Sequence, residues 1–196
     1  MLGLRFSTLR VYRWQVPSIS IGYFTPGQMV QEKVFAEWDK VRRWTGGGIV
    51  FHDHQEITYS IVIPASDVAF RLCSAELYRE IHLALGKAFP GIESTLAEGV
   101  STSDGTCACF EHPVPGDLIT LDGRKIAGAA QRRCRRGVLH QGSLRLPFPF
   151  HNEELNLERF ASHLASSAVE QAPLFPSDEL TALDAKYNSH PWMNRI

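Results

Sequence analysis

Short strand-type segments around one strong helix constrain the fold of this chain more than any other feature. Residues 74–89 place Leu77, Ile81 and Leu85 on one helical stripe, with Ser74 as the predicted N-cap and a Pro-Gly pair at the end. The strand-type segments are rich in β-branched and aromatic residues: 8–14, 18–24, 49–51, 57–63, 119–121, 124–127 and 137–146. Because both kinds of segment are intermingled along 196 residues, the sequence predicts one α+β domain with a mixed β-sheet flanked by helices.

The remaining segments complete this predicted organisation. Residues 28–40 and the region around Phe160 show apolar residues at helical spacing, and Ser177 is the predicted cap of a short final helix. Gly123 lies in a predicted tight turn between two strands. Residues 100–116 are rich in Ser, Thr, Gly, Cys and Pro and predict a long loop, which in a compact domain is often functional.

Composition excludes several classes of protein. The formal net charge is -1, whereas a general nucleic-acid binder usually shows a strong basic excess. No window of about 18 apolar residues predicts a membrane span, and the first residues lack the apolar region of a signal peptide. The four cysteines do not resemble a secreted disulfide framework, so we expect a cytoplasmic location. Cysteine and histidine spacing matches no common zinc motif, so we expect no metal site.

The first candidate site is the segment RRWTGGGIVFHD at 42–53, which we call the glycine segment. Three consecutive glycines cost conformational entropy, but they suit a place where the backbone closely approaches a ligand. A simple glycine-rich turn is the alternative. The flanking arginines and the His-Asp pair favour function, and the candidate substrate-binding residues are Arg43, Thr45, Gly46, Gly47, Gly48 and His52.

The second candidate site combines a lysine hairpin with a cysteine-containing loop. Lys125 begins an apolar strand in which Gly128 and Ala129 would let a ligand lie against the backbone. Taken alone, such a lysine is most often a solvated charge. Cys107 or Cys109 would act as a nucleophile if nearby positive charge lowered the pKa of its thiol, although an inert buried thiol is the commoner fate.

A run of arginines follows the lysine hairpin. Arg132, Arg133, Arg135 and Arg136 surround one cysteine in a chain whose overall charge is close to zero. Such concentration indicates a docking surface for an anionic partner, and a solvated face is the alternative. Strand alternation predicts that Arg133 and Arg135 share one face and that Arg132 and Arg136 share the other.

Four of these segments together resemble the family of lipoate-protein ligase A and the octanoyltransferases, the biotin/lipoate protein ligase catalytic domains. The segments are RRWTGGGIVFHD at 42–53, ITYS at 57–60, DGRKIAGAAQRR at 122–133 and GVLHQGSL at 137–144. Their order and separation are similar too, and so is the helix at 78–85. The last segment adds His140 and Gly142 to the candidate substrate-binding residues.

The resemblance implies attachment of an octanoyl or lipoyl group to a lysine of a lipoyl-carrier domain. Ligases of the family make an acyl-adenylate from free lipoate with ATP and Mg. Transferases take the acyl group from a donor such as acyl carrier protein, form a thioester on their own cysteine and need no cofactor. Cys109 matches the position of that cysteine and Lys125 that of the catalytic lysine, whereas Cys107 lies two residues too early. The segment QEITYS at 55–60 is also more similar to the transferases.

Two departures from the family pattern bear on this expectation. Only seven residues precede the strand at Thr8, where the family has a helix, and the C-terminal accessory domain of many ligases is lacking. The hypotheses are therefore a cysteine-dependent transferase, an ATP-dependent ligase, or a non-catalytic lipoyl-binding relative. In each, the expected partners are a lipoyl-carrier protein and an acyl donor, with no nucleic acid and no membrane, and the arginine run would attract an acidic carrier.

Overall fold

The computed structural model describes residues 6–27, 37–99, 112–147, 153–170, 187 and 189–193, which contain two β-sheets and three α-helices. The strands are β1 (Thr8–Tyr12), β2 (Ser18–Ile21), β3 (Asp39–Arg42), β4 (Ile49–His52), β5 (Ile57–Pro64), β6 (Ser94–Leu96), β7 (Leu118–Thr120), β8 (Lys125–Cys134) and β9 (Gly137–Leu144). The helices are α1 (Ser74–Ala88), α2 (Glu153–Leu164) and α3 (His190–Met193), with a 3₁₀ turn at Val68–Arg71. In the described residues, no helix combines the length and the apolar character that a membrane span requires.

The larger sheet has the order β1-β5-β9-β8-β7-β6, and each neighbouring pair is antiparallel. Its two faces are separated by strand alternation. In β9, Val138 and Leu144 belong to the main core, whereas Gln141 and Ser143 point to the opposite face. Helices α1 and α2 cover the core face, so the opposite face is left to carry a site.

The main core confirms the helical stripe that the sequence predicts. Leu77, Ile81 and Leu85 of α1 are buried together with Phe160 of α2. The predicted cap of α1 was wrong by one residue: Cys73 is the N-cap, and its backbone N–H donates to the Glu76 carboxylate at 2.8 Å. The Cys73 thiol in turn accepts from the Glu76 backbone, which completes a capping box and fixes where the helix begins.

The smaller sheet has the order β3-β2-β4 and lies on the other face of the larger sheet, where Thr45 Oγ1 donates to Gln141 at 3.0 Å. Strand β2 is parallel to β3 and antiparallel to β4. The predicted α+β class is confirmed, and the parallel pairing is confined to this smaller sheet. The predicted helix at 28–40 was wrong at its end because Asp39 and Lys40 pair with β2, so sheet pairing overrides local helical spacing.

Some predicted features cannot be placed. Residues 28–36 and 100–111, with Cys107 and Cys109, lie outside the described residues, and so does Ser177.

Candidate functional site

A cavity of about 760 Å³ lies between the two sheets. Its walls include eight of the predicted site residues: Arg43, Gly47, Gly48, His52, Lys125, Gly128, Ala129 and Gly142. Two cross-strand rows of the larger sheet contribute to it. One row runs through Tyr12, Thr58, Ser143 and Gly128, and the next through Arg10, Ser60, Gln141 and Ala130. The fold therefore brings together the glycine segment and the lysine hairpin, which are about 80 residues apart in the sequence.

Lys125 is held by a buried carboxylate. Its Nζ lies 2.7 Å from Asp117 Oδ2; the lysine side chain is 6% exposed and that of the aspartate 0%. Asp117 also accepts hydrogen bonds from the Tyr78 hydroxyl at 2.5 Å and from the Val114 backbone at 2.7 Å. The Ala129 backbone N–H donates to the same Tyr78 hydroxyl at 2.8 Å. The lysine is therefore fixed from two elements, α1 and the segment before β7.

A β-bulge brings the lysine to the cavity face. Leu118 pairs with Ala127 but Ile119 pairs with Lys125, so β8 contains one extra residue at Ile126. Ile126 and Ala127 are consequently both buried in the main core although they are neighbours in the chain. The shift turns Lys125 towards Gly128, where a Cβ atom would lie only 2.4 Å from the lysine Cε. Gly128 thus provides the space that the lysine side chain occupies.

Within the glycine segment, Arg43 fixes the three glycines that follow it. The Arg43 guanidinium donates to the carbonyl oxygens of Gly46 at 3.0 Å, Gly48 at 2.8 Å and Ser20 at 2.9 Å. Gly47 has φ +86°, a conformation that residues with a Cβ rarely adopt. Gly47 and Gly48 therefore form a turn that lines the cavity and whose carbonyls are bound within the protein.

His52 is held by Glu56 at the edge of the cavity. Its Nδ1 donates to Glu56 Oε1 at 2.7 Å, its Nε2 lies 2.6 Å from Ser20 Oγ, and its ring stacks on Trp14 at 4.2 Å. Burial raises the pKa of Glu56, but the hydrogen bond and charge of His52 and the Thr58 and Ser143 hydroxyls outweigh it, and the pKa is lowered. The histidine orientation is thus set by a buried carboxylate.

Three predicted site residues lie away from the cavity wall. Thr45 is buried and bonded to Gln141, and Gly46 stands beside the turn at Gly47. His140 is buried on the core face of the larger sheet. A role for these residues in binding stays a prediction, and their contacts are structural.

His140 instead belongs to a buried network behind the lysine. His82 Nδ1 donates to the Gly116 carbonyl at 2.6 Å, so in the neutral ring Nε2 accepts from the Tyr59 hydroxyl at 3.0 Å. His140 Nε2 lies 3.4 Å from the same hydroxyl. Burial lowers the pKa of His82 to about 4 and that of His140 well below its usual range, so both rings are neutral near pH 7. The network holds the turn that carries Asp117.

Sequence reasoning missed the residues that support the site: Glu56, Tyr78, His82 and Asp117. One signal was available for two of them. Tyr78 and His82 are spaced i, i+4 and adjoin the apolar stripe of α1, where polar groups need buried partners. Glu56 lies in the segment QEITYS that resembles the transferases, but it was not predicted as a site residue, and Asp117 precedes β7 without a motif of its own.

The arginine run divides between two faces and a turn. Arg132 donates to the Trp44 carbonyl at 3.1 Å and lies over the rings of Tyr23 and Trp44, on the cavity side. Arg133 donates to the Phe70 and Leu72 carbonyls on the core side. The predicted sharing of faces was wrong for the last two arginines, because β8 ends at Cys134 and Arg135 and Arg136 form the turn before β9. Docking by these arginines stays a prediction.

Residues 3–168 match the family model described as the lipoyl protein ligase A/B catalytic domain, so the chain belongs to this family. A curated relative, octanoyltransferase LipM of Carboxydothermus hydrogenoformans, is 42% identical over 144 residues, which are 69% of this chain and 52% of the relative. Octanoyltransferase LipM of Bacillus anthracis is 33% identical over 186 residues, 83% of this chain and 65% of the relative. The chain spans between half and two thirds of these relatives.

Solved structures show the same fold at low identity. A lipoate-protein ligase A bound with ATP superposes with a TM-score of 0.74 at 18% identity, covering 97% of this chain and 87% of the other. A bipartite lipoate protein ligase studied with its E2 lipoyl domain, from Thermoplasma acidophilum, superposes with a TM-score of 0.71 at 17% identity, covering 97% and 85%. Both confirm the predicted fold.

Proposed function

We propose that this protein transfers an octanoyl or lipoyl group to a lysine of a lipoyl-carrier domain through a thioester on Cys109. The observation that carries the proposal is the cavity in which Lys125 and the glycine segment meet, in a chain 42% identical to an octanoyltransferase. A donor such as acyl carrier protein would supply the acyl group, and a lipoyl-carrier protein would receive it.

The cavity suits a medium-length acyl chain. Val41, Val50, Ala130 and the aromatic rings of Tyr12 and Trp14 contribute apolar surface to it. Each buried CH₂ group contributes about 0.8 kcal/mol, so an eight-carbon chain would supply several kcal/mol of binding free energy. A volume of about 760 Å³ exceeds what the chain alone needs, which leaves room for the donor thiol or the incoming lysine.

The position of Lys125 supports a role at the reacting carbonyl. An ammonium group on a cavity wall stabilises the negative charge that develops on a thioester oxygen when a nucleophile attacks its carbon. Asp117 and Tyr78 fix the direction of the lysine before substrate binds. Such a fixed charge acts without reorganisation during the reaction.

Cys109 is three residues before His112 in the sequence. His112 and Val114 both line the cavity, and three residues of extended chain span at most about 11 Å. The Cys109 thiolate would attack the donor thioester, forming a new carbon–sulfur bond as the donor thiol leaves with its electron pair and takes up a proton. The neutral amine of the carrier lysine would then attack the Cys109 thioester: the carbon–nitrogen bond forms, the carbon–sulfur bond breaks, and the proton lost by the nitrogen goes to the departing thiolate, which gives the amide and the free Cys109 thiol.

Intact-mass measurement with an octanoyl thioester donor tests the proposal. The wild-type protein should gain one octanoyl adduct that hydroxylamine removes, without ATP. Cys107→Ser should retain this thioester and Cys109→Ser should lose it or convert it to an ester. Cys73→Ser and Cys134→Ser are controls for nonspecific acylation, because both thiols are exposed. Retention of the thioester in Cys109→Ser would show that another thiol is the nucleophile.

Addition of ATP and free octanoate separates the transferase from a ligase. The solved structure of similar fold that is bound with ATP is a lipoate-protein ligase A, so this fold is compatible with ATP binding in that protein. Acylation of the carrier that requires ATP and free acid would replace our proposal with the ligase. Binding of octanoate without turnover under either condition would identify a non-catalytic relative.

A further inference from the structure

Residues beyond the region that matches the family reach the cavity beside the glycine segment. The family match ends at residue 168, whereas Tyr187 lines the cavity. We propose that Tyr187 is a positioning residue for acyl transfer, which holds Trp44 and thereby keeps the glycine segment against the cavity. We call Tyr187 and residues 189–193 the latch. The proposal rests on the function proposed above.

Tyr187 fixes the side chain that directly precedes Thr45 and the glycines. Trp44 Nε1 donates to the Tyr187 hydroxyl at 3.0 Å, and the two rings meet edge to face at 6.4 Å. An indole has a single N–H donor, so this bond sets its orientation. The Trp44 ring also stacks at 5.7 Å on Tyr23, and the Arg132 guanidinium lies over both rings at 4.8 and 4.4 Å. The tyrosine therefore completes a cluster with Tyr23 and Trp44, which lie just after β2 and β3, and with Arg132 of β8.

Trp192 of α3 anchors the tyrosine. Its ring is 5% exposed and lies 5.2 Å from Tyr187 and 4.6 Å from Trp44. Its Nε1 donates to the Arg42 carbonyl at 3.1 Å. One buried ring thus contacts both the latch tyrosine and the tryptophan that it positions.

Arg42 joins the latch to the start of the glycine segment. Its guanidinium is 1% exposed and donates to the Met193 carbonyl at 2.8 Å. It also donates to the carbonyls of Gly22 at 2.8 Å and Thr25 at 2.7 Å. A buried cation must keep its acceptors, because losing them leaves the charge without solvation. The latch is therefore fastened to β3 and to the turn after β2 by an interaction that resists local opening.

The latch contacts the residues on both sides of Arg43, whose guanidinium holds the carbonyls of Gly46 and Gly48. Loss of the Tyr187 side chain would remove the hydrogen-bond acceptor and one ring contact of the Trp44 indole, while Arg42 still binds α3. The expected defect is a glycine segment that opens more often, so the acyl donor binds more weakly, while Lys125 on the opposite wall keeps its partners.

The test compares Tyr187→Ala, Tyr187→Phe and the control Val169→Ala, whose side chain is 92% exposed. Hydrogen–deuterium exchange of the amides at 43–48 reports opening, and steady-state octanoyl transfer from the donor to a lipoyl-carrier protein reports KM and kcat for the donor. Tyr187→Ala should speed exchange at 43–48 and raise KM roughly five- to tenfold, as expected for losing a hydrogen bond and a ring contact, with a smaller effect on kcat. Tyr187→Phe keeps the contact with Trp192 and should fall between Tyr187→Ala and the wild type.

Each contrary result has a distinct meaning. If hydrogen–deuterium exchange at 43–48 is unchanged in Tyr187→Ala, Tyr187 does not hold the glycine segment. If exchange is faster but KM is unchanged, Tyr187 holds the segment but does not position it for donor binding. A uniform rise in exchange across α1 and the larger sheet, with a lower Tm, would show general destabilisation and would overturn the proposal too. If the wild-type protein forms no adduct, the proposed function fails with the positioning role, while the exchange data alone still decide whether Tyr187 holds the segment.

Discussion

Lys125 and the glycine segment face one cavity but are held by different kinds of interaction. The lysine is paired with Asp117, a fully buried carboxylate that Tyr78 and a backbone amide also bind. The glycine segment is held by guanidinium groups that donate to neutral carbonyl oxygens and by stacked aromatic rings. A buried ion pair concentrates its free energy in two side chains, so removing one partner costs about 3–5 kcal/mol. Contacts spread over many carbonyls and rings lose less with each substitution.

Substitution of the lysine should have the largest effect on both activity and stability. The sequence predicts that Lys125→Ala leaves the fold intact, as for a polar residue at a strand end. The buried pair with Asp117 corrects this expectation. Lys125→Ala should slow acyl transfer by about 10²–10³-fold and lower the free energy of unfolding by about 3–5 kcal/mol. Denaturant unfolding and adduct kinetics measure the two effects.

A double variant separates the two effects of the lysine. Lys125→Met combined with Asp117→Asn removes both charges while keeping similar volumes. Most of the stability should return and activity should not. If the double variant is as unstable as Lys125→Ala, the charge pair is not what stabilises this wall.

Alanine at Gly128, which lines the cavity, should have a much larger effect than alanine at Gly46, which does not line it. Gly128→Ala places a Cβ 2.4 Å from Lys125 Cε, and the flexible lysine is the group that must move. We expect the fold to persist and the rate of acylation to fall roughly 10–100-fold, since displacing a catalytic group by about 1 Å has effects of this size. Gly46→Ala is the matched control, because no atom lies within 4 Å of its added Cβ. Equal acylation rates for the two variants would show that the position of the Lys125 side chain does not limit the reaction.

Low pH should destabilise the folded protein through protonation of His82, which lies behind Lys125. The pKa of this ring is about 4 in the folded protein, below its ordinary value of 6.5, because burial disfavours the charged form. Between these values the unfolded chain binds more protons, so stability rises with pH and is lost as pH falls from about 6.5 towards 4. His82→Gln should flatten part of this slope in Tm measured from pH 7 to 4, with His140 supplying the rest. If the slope of Tm against pH is the same in His82→Gln as in the wild type, other groups cause the acid sensitivity. Glu56 is one such group, because its pKa is lowered in the folded protein.

Substitution of Arg135 and Arg136 in the arginine run should have the smallest effect on acyl transfer. Arg132 and Arg133 bind carbonyls of the chain itself, whereas Arg135 and Arg136 stand exposed in the turn. Reversing the charges of Arg135 and Arg136 should slow transfer to an acidic carrier a few-fold at low salt and leave self-acylation unchanged. The rate of transfer to the carrier and the rate of self-acylation, each measured at two salt concentrations, test this prediction. No loss with the carrier would mean that the turn is a solvated face.

The sequence predicts the parts of this molecule that depend on local pattern. The stripe of Leu77, Ile81 and Leu85 and the turn around Gly123 follow from spacing and turn chemistry, and the structure confirms them. The motifs around Lys125 and the glycines also identified two segments that the fold brings to one cavity.

What the sequence could not predict depends on distant pairing. Asp117 acquires its role only when a bulge in β8 turns Lys125 towards it, and no local motif announces either event. The faces of Arg135 and Arg136 were wrong because these two residues themselves form the turn, and the glycine that marks it, Gly137, only follows them as the first residue of β9. Asp39 and Lys40 form a strand because β2 lies beside them, which their own neighbours in the chain do not show.

Strand β8 takes part in two hairpins, and its extra residue lies in only one of them. Changes of chain length should therefore be tolerated differently in the β7–β8 and β8–β9 connections. Removing one residue from the β7–β8 connection would restore regular pairing across the bulge and send Lys125 towards the core face, where its charge has no water. The site between Arg135 and Arg136 lies beyond the last pair of β8 and β9, which is Cys134 with Gly137. Residues inserted there would therefore leave the register of the two strands unchanged. A fluorescent label or an affinity peptide therefore belongs at the arginine turn, and length changes at 121–124 should be avoided.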